Sequence, residues 1–160
     1  MPANARTYGV ATTRQIAGMS GREMLEAMIA GNLPSPPITR LMGFGLIEVG
    51  DGAAVFEGEP FADLLNPLGT IHGGWALTLI DSAAGCAAHS TLAPGYGYTT
   101  IETKVNFARP ISPDSGKVRA EGRVITAGRR IIATDARISD SRGRILAHGT
   151  STLMVFAPEA

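Results

Sequence analysis

Seventeen residues from Gly73 to about His89 read Gly-Gly-Trp-Ala-Leu-Thr-Leu-Ile-Asp-Ser-Ala-Ala-Gly-Cys-Ala-Ala-His. That length suits four or more helical turns, and small or apolar residues fall on every side. A helix apolar all round is stable only when other elements cover it. The rest of the 160-residue chain must therefore wrap this helix, and the length suffices for one domain with a substantial core. Asp81 is the sole charged residue of the run before the terminal His89. Burying a carboxylate without partners is expensive, so Asp81 has to be satisfied by donors, neutralised or put to chemical use.

The wrapping material is legible as strands. Residues 41–49 and 53–59, separated by Gly50-Asp51-Gly52, have the pattern of a β-hairpin. Downstream, Thr99, Ile101, Thr103, Val105 and Phe107 alternate with Thr100, Glu102, Lys104 and Asn106. Alternating runs recur at residues 117–124 and 132–138, and residues 145–156 form the last strand, with turns at Asp114-Ser-Gly116, Ala127-Gly128 and Ser141-Arg-Gly143. Alternation of this kind puts one face in a core and one in water, as antiparallel sheets do. One buried helix with about six strands, and no repeated βαβ crossover, predicts an α+β domain whose curved antiparallel sheet wraps the helix. Ahead of it, residues 1–38 form an N-terminal extension. Ser20 and Glu23 make a capping box for a short helix that Gly31-Asn32 ends, and Pro34, Pro36 and Pro37 connect it to the main domain, residues 39–160. This extra helix is placed to cover an edge or partly close a pocket, while residues 1–18 read as a loose lead-in.

The start of the long helix has its own chemistry. Pro67 and Gly69 mark a loop, and Gly73 and Gly74 open the helix, where the first amides lack intrahelical partners and the dipole adds positive potential. Amides without a neighbouring Cβ suit an oxygen that becomes negative during reaction. Gly73 and Asp81 are eight residues apart, roughly 12 Å along one helix. They cannot both touch one carbon, so a working site needs Gly73 of one chain and Asp81 of another, brought together by two-fold pairing.

Asn66, then His72-Gly73-Gly74, then Asp81 resembles the signature of the hotdog-fold acyl-CoA thioesterases, in particular the phenylacetate-degradation (PaaI-like) type. The similarity runs from about Thr39 to Phe156 and takes in Val105-Asn106-Phe107-Ala108-Arg109-Pro110. It implies a hotdog fold and hydrolysis of an aryl- or medium-chain acyl-CoA to free acid and CoA. By that resemblance Asp81 is the nucleophile or general base and Gly73 the oxyanion donor. Asn66 holds the thioester or the attacking water, and Thr99 or Thr100, of which Thr100 is the choice, supplies a water-orienting hydroxyl. His72 assists at the carbonyl or the leaving thiolate, or orients the loop. Gly74, Arg109, Arg129 and Arg130 are the candidates for contacts with the CoA moiety, which belongs to the substrate; no cofactor takes part. A homodimer is the minimum assembly, and the resemblance implies a homotetramer formed as a dimer of dimers. The alternatives are a hotdog acyl-thioester hydratase or dehydratase, and a non-catalytic acyl-CoA-binding domain.

Composition excludes other classes. Formal net charge is zero, and no basic tract points to nucleic acid. The charge is uneven, with 4 Lys/Arg against 8 Asp/Glu in residues 1–100 and 10 against 6 thereafter. Twelve of the fourteen cations are Arg, the better bidentate phosphate partner. The single Cys86 excludes an intrachain disulfide framework and points to a reducing cytoplasm. No apolar run approaches membrane-spanning length, and the N-terminus lacks a secretory h-region. Cys86 and His89 are three apart, but Cys86 reads as core filling; no metal-ligand spacing occurs. The absence of G-x-S-x-G excludes an α/β-hydrolase reading of His-Gly-Gly.

Overall fold

The computed structural model describes residues 6–158. In chain order the elements are α1 (Thr13–Ile16), α2 (Gly21–Ile29), α3 (Pro37–Leu41), β1 (Phe44–Gly50), β2 (Ala53–Gly58), α4 (Gly73–His89), β3 (Gly97–Phe107), β4 (Val118–Ala127), β5 (Ile131–Ser139) and β6 (Ile145–Phe156). The six strands form one antiparallel sheet in the order β1-β2-β4-β5-β6-β3. Helix α4 packs against the sheet, as its composition requires. This is the hotdog architecture with extra N-terminal helices.

The sheet side of α4 consists of Trp75, Ala76, Leu79, Ile80, Ala83, Ala84, Ala87 and Ala88, each at most 2% exposed. Phe56, Val118, Ala120, Ala136, Ile138 and Ala147 meet it from the strands. The alanines let helix and sheet approach until Gly122 of β4 abuts the Ala83 carbonyl, where a Cβ has no room. Trp75 fills the end of this core and donates its indole N–H to Met42 O at 2.7 Å, tying α4 to the segment ahead of β1. The opposite stripe, Leu77, Thr78, Asp81, Ser82 and Cys86, is only partly covered.

Capping predicted α2 correctly. Ser20 Oγ accepts from Glu23 N at 3.3 Å, and Glu23 Oε2 accepts from Ser20 N at 2.7 Å. Gly31, at φ 77°, ends the helix in the left-handed region. Gly21 N donates to Leu92 O at 3.0 Å, which docks the start of α2 on the C-terminal end of α4.

Three expectations need correction. Residues 37–41 form α3, so the first strand starts at Phe44 and not at Leu41; Pro37 at the first helical turn favours this. Residues 6–18 of the lead-in are more ordered than their lack of periodicity implied, residues 1–5 lying outside the described residues: Thr12 and Gln15 cap α1, and Tyr8 bridges to Ser35. In β3 the alternation is interrupted by a bulge between Thr100 and Glu102. Ile101 is the extra residue, so Tyr98 and Thr100 precede the bulge facing inward, and Thr103 and Val105 follow it facing inward. Ile101 and Phe107, read as core-facing, are 54% and 59% exposed.

Candidate active site

Asp81 lies at the middle of α4, on the stripe turned away from the sheet's centre and towards β3. Its Oδ1 accepts two hydrogen bonds, from Thr100 Oγ1 and Thr103 Oγ1, each at 3.0 Å. Oδ2 has no hydrogen-bond partner among the described residues. Beside the carboxylate is a cavity of about 210 Å³, lined on its apolar side by Leu25 and Met28 of α2, Ile38 of α3, Leu46 and Phe56 of the hairpin, and Tyr98 of β3. The N-terminal helix therefore helps close the pocket next to the acid. Thr100, singled out in the sequence, lines this cavity and bonds to the acid; Thr103 was missed, because three residues along an unbroken strand would face the other way.

Two neighbours of Asp81 are held protonated. Burial, and then the charge of Asp81, push the Cys86 thiol up to about 12. Burial, followed by Cys86 and Asp81, raises the Tyr98 phenol well above its ordinary range. Cys86 is thus a poor nucleophile, as its reading as filler requires. His89 does not pair with it. The imidazole packs on the Tyr98 ring, centroids 5.5 Å apart, and burial lowers its basicity. Its Nδ1 has no partner among the described residues.

The loop before α4 is built by Asn66. Asn66 Oδ1 accepts from Leu68 N at 2.9 Å and Thr70 N at 3.2 Å, and Nδ2 donates to Thr70 Oγ1 at 2.8 Å. His72 caps the helix, its Nδ1 accepting from Gly74 N at 2.9 Å, which places the ring proton of the neutral form on Nε2. Gly74's amide is therefore occupied, while Gly73 N has no acceptor among the described residues. Gly73 opens onto a second cavity, about 340 Å³, with Ile71, Ala76, Phe107, Arg109 and Pro110. A Cβ on Gly73 would come within 3.1 Å of Phe107 Cζ.

Within one chain, then, the candidates fall into separate places. Asp81 and Thr100 share one cavity; Gly73 and Arg109 share another, with Asn66 and His72 shaping the loop beside it. Arg109 Nη1 donates to Ile145 O at 2.6 Å. Arg129 borders a cleft with Thr91, Leu92 and Tyr96, beyond the opposite end of α4, and Arg130 is its exposed neighbour. Among the described residues no three His, Cys, Asp or Glu side chains gather to hold a metal ion, and no helix is long and apolar enough to cross a membrane.

Residues 68–147 match the thioesterase superfamily. A protein of Saccharolobus solfataricus named as a candidate esterase is 32% identical over 88 residues, 55% of this chain and 57% of that protein. The 1,4-dihydroxy-2-naphthoyl-CoA hydrolase of Listeria monocytogenes is 25% identical over 114 residues, 71% of this chain and 91% of the hydrolase. Among solved structures, a mutant of the phenylacetic acid degradation protein PaaI of Thermus thermophilus superposes with a TM-score of 0.67 at 27% identity, covering 74% of this chain and 97% of PaaI. With the matched stretch spanning half of the 160 residues and the sheet and helix superposing on PaaI, the chain belongs to the thioesterase superfamily, in its hotdog-fold, PaaI-like form.

Proposed function

We propose that this protein hydrolyses an aryl- or medium-chain acyl-CoA to the free acid and CoA, at a site shared by two copies of the chain. The observation that carries the reading is the division of labour in α4: Asp81 has one oxygen anchored and the other free beside an apolar cavity, while the free Gly73 amide faces a different cavity, roughly 12 Å away along the helix. Strand β3 supports the pairing. It ends the sheet, runs for eleven residues and exposes Ile101 and Phe107 along an unpaired edge, the kind of edge that takes a second strand. Leu77 of α4 is likewise 38% exposed. A two-fold axis beside β3 would bring the Gly73 of one copy towards the Asp81 of the other. Two such dimers forming a tetramer is the further assembly that the resemblance implies.

In this site the thioester carbonyl oxygen lies at the Gly73 amide, where the helix dipole favours the developing negative charge. The acyl group occupies the cavity walled by Leu25, Met28 and Phe56. Asp81 takes a proton from water as the water oxygen bonds to the carbonyl carbon. The tetrahedral intermediate then expels the CoA thiolate, which receives that proton. In the alternative order Asp81 itself bonds to the carbonyl carbon and the CoA thiolate leaves; water then cleaves the resulting anhydride to the free acid and the Asp81 carboxylate, and a proton from that water goes to the thiolate. Arg109 beside Gly73 is the nearest cation for a CoA phosphate, with Gly74, Arg129 and Arg130 as further contacts from either copy. No cofactor enters either route.

A free-thiol assay over a panel of acyl-CoAs tests the reading, with Asp81→Ala and Asp81→Asn beside wild type. Loss of Asp81 is expected to lower kcat at least a hundredfold, on the order of what a general base supplies. Tight binding without turnover in wild type would point instead to a sensor, and water addition to an enoyl-CoA to a hydratase.

A further inference from the structure

Two hydroxyls reach Asp81, and they are not equivalent. Thr100 lines the cavity beside the acid, where water and acyl group must pass; Thr103 lies off the cavity. Behind Thr103 stands Ser151 of β6, its direct cross-strand partner, only 1% exposed, with Ser151 Oγ 2.9 Å from Thr103 Oγ1. Counting protons fixes the direction. Thr103 has one hydroxyl proton and donates it to Asp81 Oδ1, so towards Ser151 its oxygen accepts. Ser151 in turn has one proton, within reach of Thr103 Oγ1 and of Glu102 O at 3.0 Å. The Ser151 backbone is pinned as well, its carbonyl accepting from Thr134 Oγ1 of β5 at 3.2 Å. The Ser151 and Thr103 hydroxyls therefore stand in line behind the acid on α4, with the Ser151 backbone held from β5 by Thr134.

We infer that Thr103, backed by Ser151, is the positioning residue that holds Asp81 Oδ1 against the sheet and leaves Oδ2 aimed at the thioester. The β3 bulge makes this possible. Thr100 pairs with Leu153 and Thr103 with Ser151, two residues apart on β6, so both threonines share a face only because Ile101 is looped out between them. Thr100, its own proton also given to Oδ1, faces the cavity with an oxygen that can accept from the reacting water, and Thr103 acts solely through Asp81. Buried hydroxyls that serve only as carriers of β-propensity have no need of such a register change.

This inference rests on Asp81 acting as proposed above, and its test separates the two. Steady-state kinetics are measured for the full chain on the acyl-CoA that wild type hydrolyses best, with Thr103→Val, Thr103→Ser, Ser151→Ala and Asp81→Asn. Thr103→Val keeps the shape and removes the donor. It is expected to lower kcat on the order of tenfold to a hundredfold, as for a reacting group displaced by a fraction of an ångström, with KM changed less than about twofold because the residue does not touch substrate. Thr103→Ser should regain most of the rate, and Ser151→Ala should lower kcat by less and also leave KM alone. A wild-type kcat for Thr103→Val overturns the inference, as does a Thr103→Ser enzyme no faster than the valine variant, or a rise in KM at constant kcat. If Thr103→Val fails to fold, Thr103→Ser and Ser151→Ala decide by the same split of kcat from KM. An Asp81→Asn enzyme with wild-type turnover sinks the underlying reading instead.

Discussion

The site's residues are distinguished by what their neighbours leave free. Asp81 has a free oxygen because two threonines occupy the other, and Gly73 has a free amide because His72 has already taken that of Gly74. Asn66, expected to hold the thioester or the attacking water, makes three hydrogen bonds within its own loop, to Leu68 and Thr70, and one Nδ2 proton is left over among the described residues. Cys86 is a residue whose surroundings show up in a titration. Its thiol is raised from 9.0 to about 12 by burial and the Asp81 charge, so the native state holds that proton more tightly than the unfolded chain does. The sign follows: the contribution to stability is complete below pH 9 and is lost as pH rises towards 12. Denaturant titrations should therefore show wild-type stability falling more steeply than that of Cys86→Ala above pH 9, and a thiol reagent at pH 8 should label Cys86 slowly until denaturant is added.

At the scale of elements, the decisive contact is α4 lying on β4. Gly122→Ala puts a Cβ against the Ala83 carbonyl, a backbone neighbour that cannot rotate away. Overpacking of this type costs about 1–3 kcal/mol or more. A Tm lowered by roughly 5 °C or more is expected in thermal unfolding, whereas Gly97→Ala, with open space around its Cβ position, should leave Tm near wild type. Helix α4 was legible in the sequence because its apolar character leaves no surface role, and α2 because Ser20 and Glu23 satisfy each other's backbone. The bulge in β3 was not legible. Alternation is a count of two, and a single looped-out Ile101 resets the count without any change in composition, so Thr103 was assigned to the right face for the wrong reason and Ile101 to the wrong one. The lining of the acid's cavity by α2 was foreseeable as coverage; that Leu25 and Met28 would be the side chains reaching it depends on Gly21 docking against α4, which periodicity alone cannot specify.

For the whole molecule, the separation of Gly73 from Asp81 makes assembly part of the proposed chemistry. Mixing two separately inactive proteins, Asp81→Ala and a Gly73→Val variant whose side chain crowds Phe107, should restore a fraction of the activity after subunit exchange, since a mixed dimer retains one intact site. Failure of the mixture to recover, with exchange verified by size and mass, would place both groups in one chain's site. Ile101→Lys at the exposed edge of β3 gives the complementary result: a monomer by light scattering, folded by circular dichroism and inactive.

Helix α2 carries a consequence for how such an enzyme diversifies. Leu25 and Met28 come from a stretch that contributes neither the acid nor the amide, yet they line the cavity proposed for the acyl group. Selectivity and reactivity are thereby written in different parts of the chain. Substitutions at these two positions can retune which acids are released while the hydrolytic step proceeds unaltered.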